Sequence, residues 1–249
     1  MADTSAPSSG KNLRKLPRKR DYRTRAHANP LSANRFGWCP TSPADFDWSK
    51  LYTHMKAADG TDKQVEFADI GCGFGGLTVA LAEKFPETLV LGMEIREQVV
   101  KYVEERIELA RETSNGTKFG NASVLRVNAM QDLPCYFRKG QLKKIFFLFP
   151  DPHFKKKNHK RRIISQTLLA EYAYVLAEGA IVYTITDVLD LHQWMVKHLD
   201  AHPLFVRIPD EELTDDPCIE LVRNSSDEAK KVEAAKGDKY LAVYRRICV

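Results

Sequence analysis

Between residues 65 and 199 the apolar positions switch repeatedly between short continuous runs and a spacing of three and four. The continuous runs predict buried strands over 65–70, 88–94, 123–128, 145–149 and 180–186. The helical spacing predicts helices over 77–85, 98–111 and 189–199, and Ile164, Leu168, Tyr172 and Val175 mark another after the fourth strand. Two more strands are expected, Leu204–Ile208 and Tyr240–Arg246, the second able to pair antiparallel near a sheet edge. Residues 209–237 are polar and acidic and read as loop plus one helix. Phe36, Trp38, Phe46, Trp48 and Tyr52, set among prolines, mark residues before the first strand as an irregular lead-in that packs on the domain.

Strands alternating with helices through short Gly/Pro-marked connections predict an α/β fold. The expected architecture is a doubly wound, mostly parallel, Rossmann-like sheet with an antiparallel strand near its edge. One domain over 26–249 follows a disordered basic tail over 1–25, where little apolar surface exists to bury.

Charge changes this picture. The net charge is +5, but it is polarised. Lys11, Arg14, Lys15, Arg18, Lys19, Arg20, Arg23 and Arg25 face only Asp21 in the tail, and a second cluster fills 155–162, leaving the rest of the chain net acidic. Two basic islands on an acidic body point to a directed anionic partner. The five cysteines are scattered with no C-x-x-C pair, which argues against a zinc site and a disulfide framework and suits a reducing compartment. No metal is expected. No charge-free apolar run approaches the roughly 18 residues of a membrane span, and the first ten residues lack the apolar core of a secretory signal.

Asp69-Ile70-Gly71-Cys72-Gly73-Phe74-Gly75-Gly76 follows the first strand and opens a helix, so its glycines allow a tight turn and close approach to a ligand. Glu94 ends the second strand, where a carboxylate can accept both ribose hydroxyls of an adenosine. NAD and FAD enzymes use similar loops. Asp69 before the first glycine suits a cationic ligand better than a pyrophosphate, and Asn128-Ala129 ends the third strand with a polar-then-small step for an adenine edge. These features fit S-adenosylmethionine. Asp151 leaves the fourth strand between Pro150 and Pro152, with the cationic run immediately after it. The prolines limit the entropy lost in holding the acid. Lys155, Lys160 and Arg162 are the expected phosphate contacts, which position a nucleic acid without reading its sequence.

Phe147-Leu148-Phe149-Pro150-Asp151-Pro152-His153-Phe154-Lys155 closely resembles the eukaryotic tRNA (guanine-N7-)-methyltransferase catalytic subunit. The resemblance also covers the glycine loop, Glu94-Ile95-Arg96, Thr184-Ile185-Thr186-Asp187 and Tyr22-Arg23-Thr24-Arg25-Ala26-His27-Ala28-Asn29-Pro30. It implies a class I methyltransferase acting on N7 of a variable-loop guanine in tRNA. The implied methyl donor is S-adenosylmethionine, and the implied partner is a noncatalytic WD-repeat β-propeller subunit. Gly71, Gly73, Glu94, Arg96, Asn128, Ala129 and Leu148 would line the cofactor, with Ser226 and Glu228 closing over it. Asp151 would be the active-site acid and Asp187 a second one, with Arg25 and His27 meeting RNA. Where relatives often have threonine and a second Glu, this chain has Ser225-Ser226-Asp227-Glu228. Arg18-Lys19-Arg20 fits a nuclear import signal, so a nuclear location is expected.

A noncatalytic RNA-binding subunit would require a degraded glycine loop or a missing acid, and neither is seen. An NAD-dependent oxidoreductase leaves the second basic run unexplained. The proline-flanked acid with its basic tail argues against a methyltransferase for caps or protein.

Overall fold

The computed structural model describes residues 14–22, 24, 29–32, 39–52, 56 and 60–248. Seven strands run in chain order: β1 (Val65–Ile70), β2 (Leu89–Glu94), β3 (Ala122–Arg126), β4 (Leu142–Leu148), β5 (Leu176–Thr186), β6 (Phe205–Arg207) and β7 (Tyr240–Arg246). Among them lie α1 (Gly76–Lys84), α2 (Glu97–Thr113), α3 (Ala129–Tyr136), α4 (Gln166–Val175), α5 (Leu189–Asp200), α6 (Cys218–Asn224) and α7 (Asp227–Ala234). The sheet order is β3-β2-β1-β4-β5-β7-β6, with β1 to β5 parallel and β7 antiparallel to both its neighbours.

The central strands read as continuous apolar runs because both sheet faces are covered. Successive side chains of β4 then go to opposite layers. Ile145 and Phe147 join the core under α3, α4 and α5, while Phe146 joins the layer under α1, α2 and α6. There Phe146 stacks on Tyr183 of β5 at 4.7 Å between ring centroids. This mostly parallel sheet with one antiparallel strand beside its edge is the expected α/β class.

Three local features differ from expectation. A helix, α3, lies between β3 and β4; it is short and carries Pro134 inside, so its helical period is hard to see. Residues 209–237 form two helices, α6 and α7, preceded by a 3-10 turn over Asp210–Leu213. Within the stretch read as tail, residues 14–22 lie against α2. Tyr22 donates to Glu105 and packs edge-on against Tyr102 at 5.5 Å, and Arg14 pairs with Glu105 at 3.4 Å. Phe36, Trp38, Arg25 and His27 lie outside the described residues.

Candidate active site

The chain winds from β1 outward to β2 and β3, then returns across the sheet to β4 and β5. The order therefore reverses between β1 and β4, and the crevice beyond their carboxyl ends is where such sheets bind ligands. Both sequence motifs end there. Ile70 pairs with Phe147, so the glycine loop and the Pro150-Asp151-Pro152 turn leave the sheet side by side.

The glycine loop needs its glycines for backbone reasons. Gly71 and Gly73 have φ of 70° and 54°, a region costly for other residues, and a Cβ on either would meet nothing within 4 Å. The space over the loop is open to a ligand. Gly76 is constrained differently: a Cβ there would stand 2.3 Å from Ser225 O, so the α6–α7 junction rests directly on the start of α1.

Two adjoining hollows form one cleft. The first, about 850 Å3 and open to solvent, is lined by Gly71, Glu94, Arg96, Asn128, Ala129, Leu148 and Asp151, together with Pro30, His153 and Arg161. The second is lined by Asp69, Gly71, Gly73, Arg96, Leu148, Asp151, Asp187, Ser226 and Glu228. Arg96, Leu148 and Asp151 border both hollows, so the acid sits where they meet.

Arg96 is the electrostatic centre of the cleft. Its Nε and Nη2 donate to the two oxygens of Glu94 at 3.0 and 2.8 Å, and its backbone N donates to Glu94 Oε1 at 2.9 Å. Hydrogen bonding to Glu94 holds the guanidinium above its ordinary range against partial burial, and the charge of Asp151 adds to this. One cation thus sits between the carboxylate at the end of β2 and the carboxylate at the end of β4. Glu94, only 3% exposed, accepts twice at Oε1 and once at Oε2, so a free lone pair remains on Oε2.

Asp69 is 2% exposed and accepts a hydrogen bond from Thr78 Oγ1 at 2.8 Å. Burial pushes its carboxyl up to about 7, with Glu94 adding to the rise and Thr78 opposing it. Asn128 spends its amide locally: Oδ1 caps α3 by accepting from Met130 N at 3.1 Å, and Nδ2 donates to Pro30 O at 2.7 Å. It shapes the wall of the cleft and ties the lead-in to it. Ser226 likewise caps α7, accepting from Ala229 N at 3.0 Å.

The acid-bearing turn is held against its own preferences. Phe149 and His153 have φ of 48° and 44° on either side of Pro150-Asp151-Pro152. Such strain persists where surrounding contacts over-determine the backbone, and it clusters at functional sites. Phe149 N donates to Ile185 O at 2.7 Å, and Arg162 Nε donates to Pro152 O at 2.8 Å.

That second contact corrects one expectation. Arg162 is 1% exposed, donates to Asp190 at 2.6 Å and lies 4.7 Å from the Trp194 ring centroid. It braces the turn from behind, and its burial in this conformation removes it as a phosphate contact. The short 3-10 helix over Lys156–Arg161 sets this register. It leaves Lys155, Lys156, Lys157 and Lys160 exposed, sends Arg161 to the cleft and turns Arg162 inward. The pattern of a continuous basic run carries no sign of which cation goes where. A second unforeseen group is Asp227, which accepts from Lys19 and pairs with Arg106 at 3.5 Å. Lys19 also lies 5.4 Å from the Phe74 ring centroid, so residues 14–22 are tied to both the glycine loop and the α7 junction. Among the described residues no helix is long and apolar enough to cross a membrane.

Residues 63–242 match a protein family described as "Putative methyltransferase". Curated relatives called tRNA (guanine-N(7)-)-methyltransferase include that of Eremothecium gossypii, 54% identical over 98% of this chain and 87% of the relative. That of Kluyveromyces lactis is 56% identical over 93% of this chain and 84% of the relative. Among solved structures, an antibiotic-related methyltransferase superposes with a TM-score of 0.51 at 16% identity, covering 74% of this chain and 89% of its own. The 16S rRNA methyltransferase KamB does so with a TM-score of 0.51 at 15% identity, covering 75% and 89%. At that distance the structural likeness speaks for the fold alone.

Proposed function

The chain belongs to the tRNA (guanine-N(7)-)-methyltransferase family, and from that premise we propose that the cleft takes S-adenosylmethionine and a guanine from the tRNA variable loop. The observation that carries this reading is the position of Asp151, on the border of both hollows and followed by an exposed cationic edge. The first hollow suits the adenosine and the second the sulfonium and amino-acid end. Open space over Gly71 and Gly73 and the buried Glu94 carboxylate at the β2 end fit such a ligand.

S-adenosylmethionine supplies a methyl group that guanine N7 takes with its ring lone pair, the carbon–sulfur electron pair staying on sulfur. No proton leaves N7, so the chain has no general base to provide. Its residues have to align the base and tolerate charge moving from sulfur to purine. Asp151 accepts hydrogen bonds from the guanine N1–H and exocyclic amine, which favours guanine over adenine, and its charge offsets the positive charge gathering on the ring. A WD-repeat β-propeller subunit helps hold the tRNA, and the complex works in the nucleus.

The test is methyl transfer from labelled S-adenosylmethionine to total tRNA, with and without a propeller subunit, and the product nucleoside identified by mass spectrometry. Appearance of 7-methylguanosine in the variable loop supports the reading. Cofactor binding with product in another RNA, or at another position, overturns it.

Replacing Lys155 and Lys160 together with alanine is expected to weaken binding of all tRNAs alike. The slope of log K against log salt should fall by about one per lysine. Filter binding across a salt series reads both quantities, and an unchanged slope removes these lysines from the contact surface.

A pH dependence follows from Asp69. Its carboxyl holds a proton up to about 7 in the free cleft. A sulfonium nearby favours the charged form, so binding lowers this value and releases a proton. Affinity for S-adenosylmethionine is therefore expected to rise with pH, by up to about tenfold per unit, and to level off above about pH 7. S-adenosylhomocysteine, whose sulfur is neutral, should show little of this, and Asp69→Asn should flatten it. Calorimetry in buffers of different ionisation enthalpy counts the proton.

A further inference from the structure

We propose that Cys39, Asp132 and Cys135 form a binding site for a soft divalent cation, zinc being the fitting one. Their ligand atoms, two thiol sulfurs and one carboxylate oxygen, all lie within 4.8 Å of one another. Asp132 and Cys135 are one helical turn apart on α3, and therefore share a face. Cys39 comes from the lead-in that packs across that face, where Phe46 lies 5.2 Å from Tyr136 and Trp48 stacks on Phe137 at 6.0 Å.

The carboxylate makes the case. Asp132 is 5% exposed, and its Oδ1 has no hydrogen-bond partner among the described residues. An unsatisfied buried carboxylate oxygen is expensive, and a native chain normally gives it a donor, a water or an ion. The adjoining groups are two thiols, which as neutral donors are weak. Two thiols that become thiolates when they ligate metal, and a carboxylate, are packed together. A Cys39–Cys135 disulfide would consume both thiols and leave Asp132 as it is, whereas a divalent cation accounts for all three.

Zinc takes thiolate and carboxylate ligands tetrahedrally at about 2.3 and 2.0–2.2 Å, so ligand atoms stand about 3.5–3.8 Å apart. Side-chain rotations of about an ångström bring the three groups to that spacing, and a water completes the set. On binding, each cysteine gives its S–H proton to solvent and the sulfur pair goes to the metal. The consequence lies upstream along the chain. The segment that carries Cys39 also carries Pro30, whose carbonyl accepts from Asn128 and from Gln131 at 2.7 and 3.1 Å and which lines the cofactor hollow. A metal at one end of α3 and the Asn128 cap at the other would hold the lead-in at two points.

The experiment uses the full chain, reduced and stripped of metal under anaerobic conditions. Zinc is titrated against a chelating dye, and cobalt(II) is added separately for its thiolate charge-transfer absorbance. One equivalent is expected, with release of about two protons, cobalt absorbance of two thiolates, and a raised unfolding temperature. Zinc should slow alkylation of Cys39 and Cys135 at least tenfold while the exposed Cys248 reacts as before. Cys39→Ser and Asp132→Asn should each weaken binding at least tenfold. The alkylation readout needs no variant, so a misfolded mutant does not shelter the proposal. Absence of stoichiometric zinc binding overturns it. So does binding that survives both substitutions, or a Cys39–Cys135 disulfide found in chain isolated anaerobically.

Discussion

Asp151→Ala is expected to lower the single-turnover rate of tRNA methylation by about 10²–10³-fold. The dissociation constant of S-adenosylmethionine should change by less than about threefold. The split follows from position. Asp151 borders both hollows, whereas Glu94, the carboxylate proposed to meet the ribose, lies in the first and is bonded to Arg96. Loss of Asp151 leaves that pair intact. What is lost, on the proposed mechanism, is the acceptor for the guanine edge and the negative charge beside it. The acid sits on a strained turn, with Phe149 and His153 at positive φ on either side of it. Asp151→Asn separates the two roles. An amide keeps one acceptor but carries no charge, and its NH2 opposes the guanine N1–H. If charge dominates, Asn is as slow as Ala; if acceptance dominates, Asn falls between Ala and wild type. A rate within threefold of wild type for Ala removes Asp151 from the chemistry.

Much of this site is legible in the sequence because its geometry is carried by backbone requirements. Positive φ at Gly71 and Gly73 and the prolines around Asp151 are one-residue signals, and the alternation of Ile145, Phe146 and Phe147 follows from a sheet covered on both faces. The carboxylate at the end of β2 follows from the topology. What the sequence hides are choices of partner. Asn128 has the composition of an adenine-reading group, yet its amide caps α3 and holds Pro30. Arg161 and Arg162 are chemically alike, and only the register of a short 3-10 helix sends one to the cleft and the other under Trp194. Cys39 and Cys135 are far apart along the chain, so spacing gives no hint that they meet beside Asp132. Lys19 and Asp227 come from opposite ends of the chain and meet over the glycine loop for the same reason. Each of these pairings depends on tertiary packing, to which local pattern is blind.

Glu94→Ala is expected to weaken S-adenosylmethionine and S-adenosylhomocysteine equally, by about 100-fold. Two hydrogen bonds from ribose hydroxyls to a carboxylate contribute about 1.5 kcal/mol each at the low end, and about 3 kcal/mol corresponds to roughly two decades of affinity. The low end applies because Arg96 already fills Oε1 and takes one site on Oε2, so one ribose hydroxyl has to share or displace an Arg96 contact. The fold should tolerate the change. Arg96, with a side chain 27% exposed, can turn its guanidinium to water once its partner is gone. Equality between the two ligands is the discriminating feature, since both carry the ribose and only one carries the sulfonium. Loss of affinity for S-adenosylmethionine alone would mean that Glu94 acts through charge on the sulfur, as Asp69 is expected to. The double variant Glu94→Ala, Arg96→Ala decides how the pair is coupled. If Arg96 serves only to orient Glu94, it binds no worse than Glu94→Ala alone. If Arg96 also contacts ligand directly, the losses accumulate, and turnover falls further because the cation beside Asp151 is gone.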